Sequence, residues 1–427
     1  MRIELASGMQ RTSFMLAAIL LLCPYLWWVQ IHWRAAALAQ SWDINDVKRA
    51  TLIESSNPDH HHLLGRFYLF AMQDPVGAIT EFKTAAALDP WNSQNWLDLA
   101  AAERMNGNVD GQRTAVEKAL EVDPRTPEVA WDAANFNLSE GKVDRALTLF
   151  RTVAENDPEN MSAALETSLR ATQDPDRVAE VVLPPRQDAY FAYLLILMRY
   201  QQTGAAMKVW EKLLHLDTRL EAVRAVPFLQ YLQNQHALTE LQQAWQELAM
   251  IHPELKQGGN ETTLAKMNTD VIVDGGFEEE ILNGGLSWRV EPQPNCSITV
   301  DNTESHSGNR SLRMEFNGQS IQWIGLLQYV LVQPNTEYDL SYYVQTKDMD
   351  TAKGPHIYIQ DADDPGLRSE GEEWRGTRPW HDDHVRFTTG PKTRLVVVYV
   401  ARNEHAEMLI KGTAWIDDVR MITGISP

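Results

Sequence analysis

Cysteine is nearly absent from this chain. Cys23 and Cys296 are its only two in 427 residues, too few for a disulfide framework or a Cys/His zinc site. Cys23 sits in an apolar stretch and Cys296 far downstream, so no bridge between them is expected, and cysteine usage does not report the compartment. Basic charge is also short: 38 Lys and Arg stand against 58 Asp and Glu, a formal net charge of -20. Nucleic-acid binding wants a basic stripe and is excluded as a partner class; docking on anionic lipid through a basic surface is disfavoured. No G-x-S-x-G elbow, phosphate loop or H-E-x-x-H appears. Paired acids do occur at Glu372-Glu373, Asp382-Asp383 and Asp417-Asp418. Neighbours on a strand face opposite ways, so they cannot form the facing carboxylates, ~5–9 Å apart, of a glycosidase. His381 and His384 flank two aspartates without a third spaced ligand and read as a solvated turn.

What is present begins with residues 12–33, 22 positions between Arg11 and Arg34 without Asp, Glu, Lys or Arg. At ~1.5 Å rise per residue, such a helix crosses a ~30 Å hydrocarbon core. Arg2 and Arg11 precede it, and Tyr25, Trp27, Trp28 and Trp33 crowd its far end as interfacial aromatics do. The expectation is a single-pass anchor in a bacterial inner membrane, with the chain after Arg34 in the periplasm or otherwise outside the cytoplasm. The alternative is a cleaved signal peptide, for which Ala37-Leu38-Ala39 resembles a cleavage site. Residues 1–40 are assigned to this anchor or signal segment.

Three short stretches then recur, Leu88-Asp89-Pro90, Val122-Asp123-Pro124 and Asn156-Asp157-Pro158, with prolines 34 residues apart. Each follows an amphipathic helical run. A period of 34 with helix, turn, helix and closing proline resembles the tetratricopeptide repeat. Ala78, Phe82, Ala85 and Pro90 fit one unit; Trp96, Leu99, Ala100, Ala119 and Pro124 the next; Ala146, Phe150 and Pro158 the third. Gln112 departs from the usual small residue. The register is disturbed after Pro158 and resumes with Ala206, Trp210 and Asp217. About five units are expected across residues 45–255, forming an α-solenoid that implies protein or peptide partners. His60, His61 and His62 fall on one helix ~100° apart, so they cannot share one metal and read as a solvated face. Residues 256–270, with Gly258-Gly259, read as a linker.

Residues 271–427 read as antiparallel β-structure, with strands at 297–300, 311–316, 337–346, 356–361, 384–389, 395–402 and 414–422. Many short strands between turn signals suggest a sandwich or jelly roll. The stretches Val273–Glu280, His306–Phe316, Val332–Thr346 and Gly412–Met421, in that order, resemble carbohydrate-binding modules of the galactose-binding-like jelly-roll class. The resemblance implies glycan binding, and a structural calcium held by acids from both ends of the domain, here Asp417 and Glu278. Strand alternation sets Asp417 on one face with Trp415, Val419 and Met421. A buried carboxylate there needs a cation or hydrogen-bond donors, so backbone amides or an arginine are the alternative to calcium. For the glycan, Trp288, Trp323, Trp374 and Trp380 are the aromatics outside clear core strands. Arg375 lies beside Trp374, and the segment 364–383 reads as a rim loop. Trp374 is the preferred contact.

The chain is therefore read as α then β: a membrane helix, a solenoid of tetratricopeptide repeats and a C-terminal jelly roll. The function expected is that of a non-catalytic envelope protein, its repeats a scaffold and its sandwich a glycan binder, in exopolysaccharide or surface-glycan assembly. Two rivals stay open: an assembly scaffold whose sandwich only packs, and a glycan hydrolase with an atypical site.

Overall fold

A computed structural model describes residues 8–41, 43–216, 220–257, 270–402 and 408–423. The chain divides into two compact units, Met1–Pro185 and Arg186–Pro427. Asp217, Gly258-Gly259 and almost all of the 256–270 stretch lie outside the described residues.

The first unit opens with α1 (Gly8–Ala39). Its stretch Thr12–Ala39 has a mean hydropathy of 1.9 and none of its apolar window is buried inside the protein, so by length and composition it can cross a membrane. Helices then follow in antiparallel pairs: α2 (Ile44–Ile53), α3 (Pro58–Arg66), α4 (Pro75–Leu88), α5 (Ser93–Met105), α6 (Val109–Val122), α7 (Pro127–Ser139), α8 (Val143–Asn156), α9 (Met161–Thr172) and α10 (Pro175–Val181). The recurring Asp-Pro stretches explain their boundaries. Asp89, Asp123 and Asp157 end α4, α6 and α8 with a backbone N–H returned to the last turn. Asp123 and Asp157 also accept from residues of the next turn, and these bonds hold both carboxyls below the usual range. Asp74, Asn92 and Asn108 cap the helices that follow,. Ala78, Phe82, Ala85, Ala119, Ala146 and Phe150 are fully buried between helices, as the repeat pattern requires. Gly65 shows why small residues recur: a Cβ there would lie 2.7 Å from the Phe82 ring.

The three consecutive histidines are not a solvated face. His60 is buried, His61 Nδ1 lies 2.7 Å from Glu81, and His62 Nε2 lies 2.7 Å from Asp98 on α5. They point apart, as helix geometry demands, but into protein, because this turn faces the neighbouring helices.

The second unit joins α11 (Gln187–Arg199), α12 (Thr203–Leu214), α13 (Val226–Asn234) and α14 (Leu238–Ile251) to a β-sandwich. Ala206 and Trp210 are fully buried in α12, at the positions where the repeat register resumes. The sandwich has two five-stranded sheets. Sheet A runs β1 (Arg289–Val290), β4 (Trp323–Leu331), β9 (Leu395–Ala401), β6 (His356–Asp361) and β7 (Arg368–Glu370). Sheet B runs β2 (Cys296–Asp301), β3 (Ser311–Ser320), β10 (Leu409–Thr423), β5 (Glu337–Asp350) and β8 (Gly376–Thr388). Neighbouring strands are antiparallel throughout. Ile324, Leu326 and Val330 of β4 and Val396, Val398 and Val400 of β9 meet Leu312, Met314, Leu340 and Val344 of sheet B in one core.

α13 and α14 pack directly on one end of sheet A. A Cβ on Gly284 would lie 2.3 Å from Val226, and one on Gly285, at φ +58°, 2.5 Å from the Trp245 ring. Arg289 Nη2 donates to Gln233 Oε1 at 2.6 Å, Arg394 Nη2 to Thr239 at 3.3 Å, and His236 lies 3.2 Å from Asp363. The sandwich and the last helix pair are thus one packed body.

Candidate functional site

Alternation sorts sheet A into two faces. With the even-numbered valines Val396, Val398 and Val400 turned inward on β9, Val397 and Tyr399 face out; on β6, His356, Tyr358 and Gln360 do; on β4, Trp323, Leu327 and Tyr329 do. Register brings these together, since Tyr399 pairs with Leu327 on one side and Tyr358 on the other, and Tyr358 pairs with Glu370. The result is an aromatic strip in which Trp323, Tyr399 and Tyr329 are partly exposed, while Tyr358 and His356, each 2 % exposed, are covered by their neighbours and back the row. Trp323 and Tyr399 have ring centroids 5.6 Å apart, and Tyr399 stacks on Tyr358 at 5.2 Å with an 18° angle. His356 follows 4.3 Å from Tyr358. The Arg368 guanidinium lies 4.7 Å over Tyr358, and that of Arg289 4.9 Å over Tyr329.

Polar groups edge the rings. Tyr399 Oη donates to Gln360 Oε1 at 2.9 Å, and Trp323 Nε1–H donates to Glu291 at 2.8 Å. Both ring nitrogens of buried His356 lack a hydrogen-bond partner, and Glu370 stands off at 3.6 Å. Burial lowers the His356 pKa, so the imidazole is held neutral,. Buried Arg402, next to Trp323's partner Ala401, donates to the carbonyls of Ile321, Lys353 and Met408 and to Thr351 Oγ1. It ties together the loops beyond this end of the strip.

Of the residues expected from sequence, only Trp323 lies on this strip. Trp374 is a correction: it is 1 % exposed, packed against Tyr342 at 6.2 Å, and offers no face to a ligand. Its polar neighbours suggested a rim, but the 364–383 segment contains β7 and most of β8 and is no free loop. Arg375 pairs with Glu373. Trp288 is likewise a core residue, 1 % exposed, against Phe277 and donating from Nε1 to the Asp274 carbonyl at 3.0 Å. Trp380 is half-buried on the outer face of sheet B, 5.9 Å from His306, which stacks on Tyr343 at 3.5 Å. His381 and His384 lie on strand β8, not in a turn.

Asp417 corrects the alternation argument. The register shifts between Asp417 and Arg420, and Asp418 takes φ +52°. This bulge moves Val419 and Met421 into the core with Ile416, while Asp417 stays on the face of Trp415,. The carboxylate is fully buried, yet it accepts three amide N–H groups, from His306 at 2.8 Å, Ser307 at 3.1 Å and Asp418 at 2.7 Å. Glu278 Oε1 accepts from Asn309 at 2.6 Å and Arg310 at 3.0 Å. The two side chains approach the same glycine: a Cβ on Gly276 would lie 3.9 Å from Asp417 Oδ1 and 3.8 Å from Glu278 Cγ. Among the described residues no group of three His, Cys, Asp or Glu has metal-ligand spacing. Calcium at these two carboxylates would draw most of its ~6–8 oxygens from carbonyls and water.

Loss of water pushes Asp417 up to about 6 from an ordinary 3.8, against the pull of its amide donors; burial does the same to Asp274. A carboxyl whose folded value is raised binds its proton more readily folded than unfolded. Its stabilising contribution is full below about 3.8 and is lost as pH rises through 6,. Resistance to denaturant, measured in chelator, is expected to rise from pH 7 to pH 5 by ~1.3 kcal/mol per carboxyl. Asp417→Asn should roughly halve that rise, the remainder coming from Asp274; a stability that only falls over this range contradicts the assignment.

Residues 269–404 match the model of a family described as carbohydrate binding domain. A tRNA(Glu)-specific nuclease, WapA of Bacillus subtilis subsp. natto, is 26% identical over 164 residues, 37% of this chain and 7% of that protein. The chain thus spans about 7% of the length of the curated relatives it matches. Among solved structures, the CBM22-1 xylan-binding domain of Paenibacillus barcinonensis Xyn10C is similar over 38% of this chain and 100% of its own, at 16% identity and TM-score 0.29. PilF of Pseudomonas aeruginosa is similar over 46% of this chain and 92% of its own, at 14% identity and TM-score 0.27.

Proposed function

We propose that this protein is a non-catalytic glycan binder, held at a membrane by α1, with its repeats as a protein-docking scaffold. The observation that carries the reading is the partly exposed Trp323–Tyr399 pair on sheet A, backed by buried Tyr358, within the segment that matches a carbohydrate binding domain. Sugar rings stack on aromatic faces while polar edges address hydroxyls, and Gln360, Glu291 and Glu370 stand ready beside the rings. The sandwich packs on α13 and α14, so a bound polymer would be presented in a fixed pose to whatever the last repeats hold. On the first unit, two adjoining hollows of about 320 and 360 Å³ share Leu97 and Asp132 and fit a short peptide. An apolar, unburied α1 with Trp27, Trp28 and Trp33 at its far end supports an anchor in the inner membrane, with the repeats and sandwich in the periplasm,. Exopolysaccharide or surface-glycan assembly is the role that joins these parts.

Affinity electrophoresis of the detergent-solubilised chain against a panel of soluble polysaccharides tests the reading. Retardation by at least one polymer is expected, and a folded chain retarded by none overturns it. Calcium is tested alongside. If Asp417 and Glu278 hold the ion, millimolar calcium raises the melting temperature and Asp417→Asn removes the rise; no rise in the parent chain leaves the amide donors as the whole account of these carboxylates.

A further inference from the structure

The strip has a cation at each end of one row. Tyr329, Val397, Gln360 and Arg368 are consecutive partners across β4, β9, β6 and β7. At ~4.8 Å per strand this row is about 14 Å long. Arg289 lies over Tyr329 at one end, and Arg368 reaches from the other over Tyr358. Only one of the two has a counter-ion. Arg368 pairs with Glu370 at 4.0 Å. Among the described residues no carboxylate comes within ion-pair distance of Arg289, whose Nη2 donates instead to Gln233 Oε1 at 2.6 Å and the Gly285 carbonyl at 3.1 Å. Its Nε is buried without a partner. Glu291 acts on it only from a distance, its carboxylate being engaged by the Trp323 indole.

A guanidinium half removed from water and left without an anion is costly. The cost is met if a ligand supplies the anion, and the planar fork suits a carboxylate. We propose that the strip reads an acidic glycan, one bearing uronic-acid carboxylates, and that α13 belongs to the site, with Gln233 as the positioning residue that aims Arg289. This rests on the reading of the strip as a glycan site. It adds the class of sugar, and it places part of the specificity in the helical repeats.

The test is calorimetric titration of the full chain with galacturonic-acid oligomers, sulfated oligosaccharides and neutral xylose oligomers of equal length, at low and high salt. The uronide is expected to bind at least tenfold tighter than the neutral oligomer, with the preference shrinking as salt rises. Arg289→Gln should remove the preference, bringing uronide affinity down to that of the neutral oligomer on the same variant. Gln233→Glu is the decisive variant, since it keeps the bond to Arg289 but supplies the missing anion. A merely structural Gln233 tolerates it, whereas a positioning one loses uronide preference about as much as Arg289→Gln does. Equal binding of neutral and uronide oligomers, or Gln233→Glu with its preference intact, overturns the proposal while leaving the glycan site standing. Tighter binding of the sulfated ligand overturns the carboxylate assignment. If the parent chain binds no oligomer, and Tyr399→Ala behaves identically, both readings fall together.

Discussion

Tyr399→Ala is expected to weaken glycan binding by about 30- to 1000-fold, the ~2–4 kcal/mol of a central aromatic contact. Tyr399 is the middle ring of the strip, touching Trp323 on one side and Tyr358 on the other. Removing it takes away its own face and the lateral support of both neighbours. The phenol also donates to Gln360, so it fixes an amide that addresses the ligand. Tyr399→Phe separates these contributions. It keeps the stack and loses one hydrogen bond, so a loss of only ~0.5–1.5 kcal/mol is expected. Both variants should melt near the parent, because the ring lies outside the sandwich core. Titration with the best-bound polymer from the panel provides the measurement. Parent-like affinity for Tyr399→Ala would move the site elsewhere, with the His306–Tyr343–Trp380 cluster on sheet B the next place to look.

Much of the architecture was legible because it repeats. The Asp-Pro stretches return every 34 residues, and each repetition checks the others, so the helix pairs and their buried alanines follow from spacing. The strands were legible from alternation, and the seven read from sequence fall within or close to β2, β3, β5, β6, β8, β9 and β10. β4 escaped, since Trp323–Leu331 is an apolar run interrupted at Gly325 and Gln328 and lacks a clear period of two. That omission hid the strip, for β4 carries Trp323 and Tyr329 and lies beside β9.

The tyrosines were hidden differently. Tyr358 and Tyr399 sit inside runs that read as core strand, whereas the tryptophans stand in polar surroundings. The signal was present in the same runs: Ile357 and Ile359 alternate with Tyr358 and Gln360, and Val398 and Val400 with Tyr399. Two faces of different chemistry meant one face looked outward. Trp374 failed for the converse reason. Its neighbours Glu372, Glu373 and Arg375 are polar, but the backbone turns the indole against Tyr342. Local polarity does not report burial when a segment crosses the edge of a sandwich.

The bulge at Asp417-Asp418 was not legible, and it governs the second large effect. Gly275→Ala is expected to destabilise the sandwich by more than ~4 kcal/mol, in the range of backbone collisions in a packed site. A Cβ at Gly275 would lie 1.8 Å from the Val419 carbonyl oxygen and 2.8 Å from its carbon. Both obstacles are backbone, so no rotamer change relieves them. The same residues are joined by the Val419 N–H donating to the Gly275 carbonyl at 2.9 Å, which must lengthen if the chains part. Asp274 and Phe277, both at positive φ, hold the turn in this shape, and its far side carries Glu278 to the amides of Asn309 and Arg310. Separating the turn from β10 would therefore also loosen the cover over Asp417. Gly276→Ala is the control, since its nearest neighbours would be at 3.8 Å, an ordinary contact. Denaturant unfolding of the two variants should differ by several kcal/mol across a one-residue step. Equal, mild effects would mean that the turn does not lock the bulge, and that the buried carboxylate is held by the 306–309 loop alone.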